Sequence, residues 1–422
     1  MMDQRRIGVA LEGERLPAAG LETIRWMAPR LVLPRHLCFR AGALAMLRQL
    51  GARRAFVITG AASARASGAL DKALGHLTGA GGEAVCYDRI AFEPTWALIR
   101  EGLDAVRAAG PDWIIGIGGG SVLDAAKLIY VWSEHPALEP QALLKPFSIP
   151  PLARRSRLIL IPTTAGTGSE VSCSAIVQNS ERQGKDIIVS HELLPDIALL
   201  DASLTVTLPP ALTAATGMDA LTHAIEAFVS LAHNPFTDAC AAAAIRLILA
   251  HLAPAFRDGS RLESRDGMLN AACLAGIAQS NVSVGLTHAI AHVLGAIVTL
   301  PHGLLNSVLL VPVMRFNAQA QPDRYQALAG ACGFAGLDAM AAAIERFQHG
   351  LGLPRTLGAA GAPVAGLRGR MAELSQKVLA EPCARTNPRR PLPEEVARLL
   401  DSVLGDDHRE GRDGREGHDE RD

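Results

Sequence analysis

A parallel α/β sheet domain followed by an all-helical domain is the architecture predicted for this chain of 422 residues. Three observations predict it. Short apolar runs alternate with helical stretches as far as about residue 205, long alanine-rich helical segments follow, and a glycine-rich turn joins one buried strand to the next helix. In the first region Ala55-Phe-Val-Ile-Thr-Gly60 reads as a buried strand ending in a glycine turn. Ala66 to Leu77 has helical periodicity, Glu83 to Tyr87 is a second short strand, and Thr95 to Ala109 is an amphipathic helix. Trp113 to Gly118 and Leu158 to Ile161 supply further strands. Such alternation builds a mostly parallel sheet covered by helices. After Leu208-Pro-Pro210 strand signals nearly vanish, and Pro210 to Ser230, Pro235 to Leu252, Arg265 to Ala278 and Gly285 to Ile297 read as helices. The expected division is 1–205, 206–404, and a charged tail 405–422 without an apolar residue, expected to be disordered.

Composition excludes several classes of function. Hydrophobic residues make up 49% and charged residues 20%, which is ordinary for a globular protein. Net charge is −1, without a basic stretch that would track a nucleic-acid backbone, so nucleic acid is not an expected partner. The seven cysteines are scattered and form no CxxC pair, as in a reduced cytoplasmic protein. No signal-peptide core and no run of roughly eighteen or more apolar residues stands out, so neither export nor a membrane is expected.

The strongest chemical signal lies between Thr216 and Asn306. Asp219 and His223 are four apart, one helical turn, and so project from one face. His288 and His292 form a second pair at the same spacing, and His302 follows in Pro301-His-Gly303. A single histidine among Ala and Ile is more often a buried, hydrogen-bonded core residue. Two such pairs and a Pro-His-Gly in one segment favour a divalent metal, with an Asp and imidazole set suited to Fe2+ or Zn2+. Spacing alone does not choose between His288 and His292.

Two loops suggest a nucleotide. Gly116-Ile-Gly-Gly-Gly-Ser121 links a strand to a helix, where backbone N–H groups and the positive helix end suit a pyrophosphate. The spacing is not the usual G-x-G-x-x-G, and the same glycines would also serve a tight turn. Pro162-Thr-Thr-Ala-Gly-Thr-Gly-Ser-Glu170 brings hydroxyls and small residues after another strand. Its bland alternative is a connection with ordinary turn and cap roles.

Taken in order, Glu93-Pro94, Gly118 to Lys127, Pro162 to Glu170, Pro195-Asp196, Thr216 to His223, Gly285 to His292 and Pro301 to Gly303 resemble the iron-containing (group III) alcohol dehydrogenase family. The resemblance covers nearly the whole chain. It implies a Rossmann-like nucleotide-binding domain, a helical metal-binding domain and an overall architecture like that of dehydroquinate synthase. Carried over by motif, the metal ligands are Asp219, His223, His288 and His302, with His292 beside the nicotinamide and a role in proton relay. The implied cofactor residues are Gly118, Gly119, Gly120, Ser121 and Asp124 in the glycine loop, with Thr163, Thr164, Thr167, Ser169 and Lys185 lining the rest. One departure concerns Gly60, which stands where many NAD-preferring members place an Asp. Nearby Ser63 and Arg65 offer groups for a 2′-phosphate, so NAD and NADP both remain open.

The expected activity is metal-dependent hydride transfer between a nicotinamide and a small primary alcohol or aldehyde, in a cytoplasmic homodimer or larger homo-oligomer. Fe2+ is the expected metal, with Zn2+ the alternative. The rival accounts are a hydroxyacid–oxoacid transhydrogenase on the same fold, a lyase like dehydroquinate synthase, and a non-catalytic nucleotide-binding assembly protein.

Overall fold

Strands that are continuous apolar runs must be covered on both faces, and this determines the first half of the molecule. The computed structural model describes residues 31–60, 63–90, 94–179 and 184–405. The charged tail beyond Gly405, Glu93 and the side chain of Ser63 lie outside the described residues. The elements of this half are β1 (His36–Phe39), β2 (Arg54–Gly60), α1 (Ala69–Gly79), β3 (Glu83–Ile90), α2 (Trp96–Ala109), β4 (Trp113–Gly118), α3 (Gly120–Glu134), β5 (Arg157–Pro162), β6 (Ser174–Asn179), β7 (Gly184–Val189) and β8 (Ile197–Leu200). Six of the strands form a parallel sheet in the order β1-β8-β5-β4-β2-β3. Phe56, Ile58, Ile114, Leu158 and Leu160 face α2 and α3 on one side. Ala55, Val57, Ile115, Ile117, Ile159 and Ile161 face α1 on the other.

Strand order reverses at β2, with β3 on one side and β4 on the other. A sheet of this kind opens a crevice beyond the carboxyl ends of the strands at such a reversal. The two strands there end at Gly60 and Gly118. Sequence reading located β2 to β5 but not β1, β8 or the antiparallel hairpin β6–β7. The first expected helix is interrupted: Ser63–Ala66 form a single helical turn, and the helix proper starts at Ala69 after Gly68 in a left-handed conformation (φ 69°). Thr95 caps α2, accepting from Leu98 N at 3.3 Å.

The second half is helical: α4 (Pro210–Val229), α5 (Pro235–Arg257), α6 (Leu262–Val282), α7 (Leu286–Gly295), α8 (His302–Ala318), α9 (Pro322–Ala331), α10 (Leu337–Gly350), α11 (Met371–Ala380) and α12 (Pro393–Leu404). Helix α4 is buried on all sides over nearly its whole length, the state expected of a central core helix. Helix α5 is long and apolar enough, by length and composition alone, to cross a membrane, which scanning for unbroken apolar runs overlooks. Here Ala241, Ala244, Ile245, Ile248 and Leu252 bury one face of it in the helical core.

Close approach of helices depends on two glycines. A Cβ on Gly217 would lie 2.5 Å from Leu252 Cδ1 of α5, and one on Gly303 would collide with the Ala215 carbonyl of α4. Gly303 therefore lets the first turn of α8 rest directly on α4. Replacing Gly303 with Ala should push the helices apart and cost about 1–3 kcal/mol of stability, the usual penalty of overpacking. Denaturant unfolding measures this, and an unchanged midpoint would show that the contact does not set the helix spacing.

Candidate metal centre and cofactor cleft

Asp219, His223 and Glu226 occupy positions i, i+4 and i+7 of α4, a single stripe of a buried helix. His288 lies in the first turn of α7, His292 one turn further on, and His302 is the first residue of α8. The three helices bring these groups together. Asp219 Oδ1 lies 3.7 Å from both His288 Nε2 and His302 Nε2. Asp219 Oδ2 lies 4.0 Å from His223 Nδ1, and the His223 and His288 rings stack with centroids 4.5 Å apart. Asp219, His223 and His288 are buried, whereas the His302 side chain is 37% exposed. The cluster is therefore closed on three sides and open past His302.

The residues fit a divalent cation. Asn306 Nδ2 sits 2.8 Å from Asp219 Oδ1, 3.1 Å from His288 Nε2 and 3.2 Å from His302 Nε2, so three ligand atoms converge on one point. His223 Nδ1 is buried with no hydrogen-bond partner, a condition that costs about 1–3 kcal/mol unless something satisfies the nitrogen. One carboxylate and imidazole nitrogens form a donor set for Fe2+ or Zn2+.

Electrostatics prepare the ligands. Burial lowers the His223 imidazole to about 4, which leaves it neutral at neutral pH. Burial acts in the same direction on His302. Burial would raise Asp219, but the surrounding imidazoles of His223, His288 and His302 outweigh it and hold the carboxyl well below its ordinary range. Burial would lower His288, yet hydrogen bonds to Asp219 and Glu226 overcome this and raise it to about 9.

Glu226 supports the centre from behind. Its carboxylate accepts from Gly285 N at 2.8 Å and Thr287 N at 2.6 Å, and meets His288 Nδ1 at 2.6 Å. It thus caps the positive start of α7. It also fixes the His288 tautomer, with the proton on Nδ1 and Nε2 turned to the cluster. Gly285 is required there, because a Cβ would come within 2.8 Å of Asn387 Oδ1 and 3.1 Å of Glu226 Oε1.

The two loops expected to hold the cofactor pack on each other, and the second of them rests on α4. Thr163 N donates to Gly118 O at 2.9 Å. A Cβ on Gly120 would meet Thr167 Cγ2 at 2.8 Å and one on Gly119 would come no closer than 3.5 Å to Thr164. Gly119 is the N-cap of α3, and Ser121 lies in that helix's first turn. The second loop rests on α4, where a Cβ on Gly166 would lie 2.6 Å from Thr216 Cβ. Ser169 and Asp124 are turned into a buried network: Ser169 Oγ donates to Asp124 Oδ1 at 2.6 Å and accepts from Lys127 Nζ at 2.8 Å. Lys127, fully buried, also donates to Ser172 Oγ and the Ser174 carbonyl. Lys185 stands on β7 opposite Gln178. Gly60 ends β2 at the crevice, and Arg65 pairs with Asp88 of β3 at 2.9 Å.

His292 is 17% exposed and its Nδ1 lies 3.1 Å from Glu381 Oε2. Its ring stacks on His302, centroids 5.5 Å apart. Sequence reasoning missed Glu226, Asn306, Lys127 and Glu381. Helical spacing would have flagged two of them: Glu226 follows His223 at i+3, and Asn306 follows His302 at i+4.

Two family models match the chain, iron-containing alcohol dehydrogenase over residues 34–202 and the C-terminal domain of the Fe-containing alcohol dehydrogenase family over residues 213–404. The chain is 34% identical to an NADPH-dependent butanol dehydrogenase of Clostridium saccharobutylicum, over 89% of this chain and 97% of that protein. It is 38% identical to a 1,3-propanediol dehydrogenase of Klebsiella pneumoniae, over 83% of this chain and 91% of that protein. Among solved structures, a 1,3-propanediol oxidoreductase superposes with a TM-score of 0.83 at 35% identity, covering 89% of this chain and 99% of the other.

With His288 raised to about 9, a cation on its Nε2 must displace a proton below that pH. Apparent affinity should therefore rise roughly tenfold per pH unit toward pH 9 and level off above it. Glu226→Gln should move the break to lower pH, because it removes a carboxylate that raises the imidazole. Competition titration against a chelating dye reads this out. A flat profile in the parent protein would disprove the protonated resting state of His288.

Proposed function

The chain belongs to the iron-containing alcohol dehydrogenase family and is an alcohol dehydrogenase or, in reverse, an aldehyde reductase; on that premise we propose that it exchanges hydride between NADP(H) and short primary alcohols or their aldehydes. The observation that carries the reading is the convergence of Asp219, His288 and His302 on one point beside α4, the helix against which the 162–170 loop packs. Asp219, His223, His288 and His302 would hold the metal, Fe2+ first and Zn2+ as alternative. A cation there supplies Lewis acidity toward the substrate oxygen.

The chain's own residues do the rest. Gly118, Gly119, Gly120 and Ser121 present backbone N–H groups and a helix start to the pyrophosphate. Thr163, Thr164 and Thr167, packed on that loop, orient the remainder of the nicotinamide cofactor, which carries the hydride. The half-open His302 side leaves the approach for substrate. His292, with Nδ1 engaged by Glu381, keeps Nε2 to accept the alcohol proton in oxidation and return it in reduction. Asp124 and Ser169 support the loop through Lys127.

NADPH is favoured because Gly60 places no carboxylate at the end of β2 and the guanidinium of Arg65, paired with Asp88, lies in the short helix that follows. The NADPH-dependent butanol dehydrogenase relative points the same way, and relatives acting on butanol and 1,3-propanediol support C3–C4 substrates.

Anaerobic assay of the ferrous-loaded protein on C2–C6 aldehydes, with NADPH and NADH in parallel, tests the reading directly. His288→Ala should lose bound metal and turnover together; turnover that survives without metal would sink the mechanism. Gly60→Asp should penalise the 2′-phosphate by about 1–4 kcal/mol, or roughly fivefold to several-hundredfold in kcat/KM for NADPH. Equal loss with NADH would show that the residue does not face the 2′ position.

A further inference from the structure

A second cluster of metal-ligating side chains shares a wall with the first. His292 Nδ1 lies 3.1 Å from Glu381 Oε2 and 4.0 Å from Cys383 Sγ, and the ligand atoms of all three lie within 4.8 Å of one another. His292 and Glu381 are partly open, at 17% and 24% exposure, and Cys383 is buried behind them. Two helices end here: His292 occupies the last turn of α7, and Glu381 caps the carboxyl end of α11. Both ends carry the negative pole of the helix dipole, which favours a cation. Imidazole, carboxylate and thiolate together form a borderline-soft set that selects Zn2+ over hard cations.

We propose that His292, Glu381 and Cys383 form a second, weaker metal site, and that Zn2+ bound there inhibits the enzyme. The inhibition rests on the proton role given to His292 above; the binding does not. When the cation binds, the Cys383 thiol proton leaves to solvent and the Nδ1 proton of His292 moves to Nε2. The imidazole then presents N–H where it formerly presented a lone pair, and no longer accepts the alcohol proton. The thiol is protonated until then, because burial and the neighbouring Glu381 carboxylate raise it. A dication held by the first cluster, across the His302 ring, repels the second one, so the two equivalents bind in order.

Titration of the metal-free protein with Co2+ separates the two sites, since the first cluster contains no sulfur. The first equivalent should bind without a thiolate-to-cobalt charge-transfer band in the near ultraviolet, and the second should bring that band in. Cys383→Ser should abolish the band and lose the second equivalent while keeping the first. Glu381→Gln, a change at a partly exposed group, should shift the second step to higher Co2+ while the band survives. In the Fe2+-loaded enzyme, inhibition by added Zn2+ should be lost in Cys383→Ser. One bound equivalent without the band overturns the proposal and leaves the first centre standing. Absence of any bound Co2+ refutes both. Band and second equivalent without Zn2+ inhibition would confirm the site and overturn the inhibition.

Discussion

The Glu226 carboxylate, buried between α4 and α7, is the constraint on which the centre depends. A charge there is tolerated only because three N–H groups meet it: Gly285 N, Thr287 N and His288 Nδ1. Each of these contacts acts on a different level of structure. The two backbone donors fix where α7 begins and how it leaves α4. The imidazole donor fixes which nitrogen of His288 faces Asp219. Because Asp219 and His223 lie on the same stripe of α4 as Glu226, the helix that carries two of the proposed ligands also sets the tautomer of a third. Loss of this carboxylate would leave three orphaned donors, and a buried N–H without a partner costs about 1–3 kcal/mol.

Small residues do the corresponding work between the sheet and the helices. Gly166 lies against Thr216, and Gly168 packs directly on Gly276 of α6. A loop that approaches helices at backbone distance has little freedom to drift. The crevice at the end of β4 and the ligand stripe of α4 are thus held in fixed relation by contacts that any side chain would wedge apart. Lys127 ties the other side of the same loop to β6 through Ser169, Ser172 and the Ser174 carbonyl. Burying an ammonium is costly, and here four oxygen partners, including Asp124 at 3.4 Å, offset the cost.

Much of this was legible in the sequence, for identifiable reasons. Strands β2, β4 and β5 are continuous apolar runs because both faces are buried, and such runs stand out. Strands β1 (His36-Leu-Cys-Phe39) and β8 (Ile197-Ala-Leu-Leu200) are four residues long, too short to show a period. The hairpin β6–β7 contains Ser, Gln, Asn, Lys and Asp, which masks its pattern. In the site, residue type and spacing marked Asp219, His223, His288, His292 and His302, and only the family resemblance preferred His288 to His292; the structure brings Asp219, His223, His288 and His302 together. Glu226 and Asn306 were within reach of the same spacing rule but carry no signal on their own. Glu381 and Cys383 come from a turn more than eighty residues distant, and no local pattern announces a contact of that kind. Ser169 and Asp124 illustrate the opposite limit: a hydroxyl or carboxylate in a nucleotide loop has two faces, and spacing does not say which one it turns to the ligand.

The pair His288 and His292 shows how neighbours, not spacing, assign roles. Both stand on α7, one turn apart, and each has Nδ1 against a carboxylate, Glu226 for one and Glu381 for the other. Hydrogen bonding at Nδ1 therefore does not distinguish them. Surroundings do. His288 is 2% exposed, its Nε2 faces Asp219, and the His223 ring covers its plane. A nitrogen so enclosed can exchange a proton only at the expense of the ligand role proposed for it. His292 lies toward the carboxyl end of the same helix, partly open, with the half-exposed His302 ring as its neighbour. An imidazole that is oriented by a carboxylate yet reachable from outside can pass protons without disturbing the centre. The same openness, with Cys383 4.0 Å from its Nδ1, leaves it within reach of a soft cation, so the property that suits His292 to proton transfer is also its point of vulnerability.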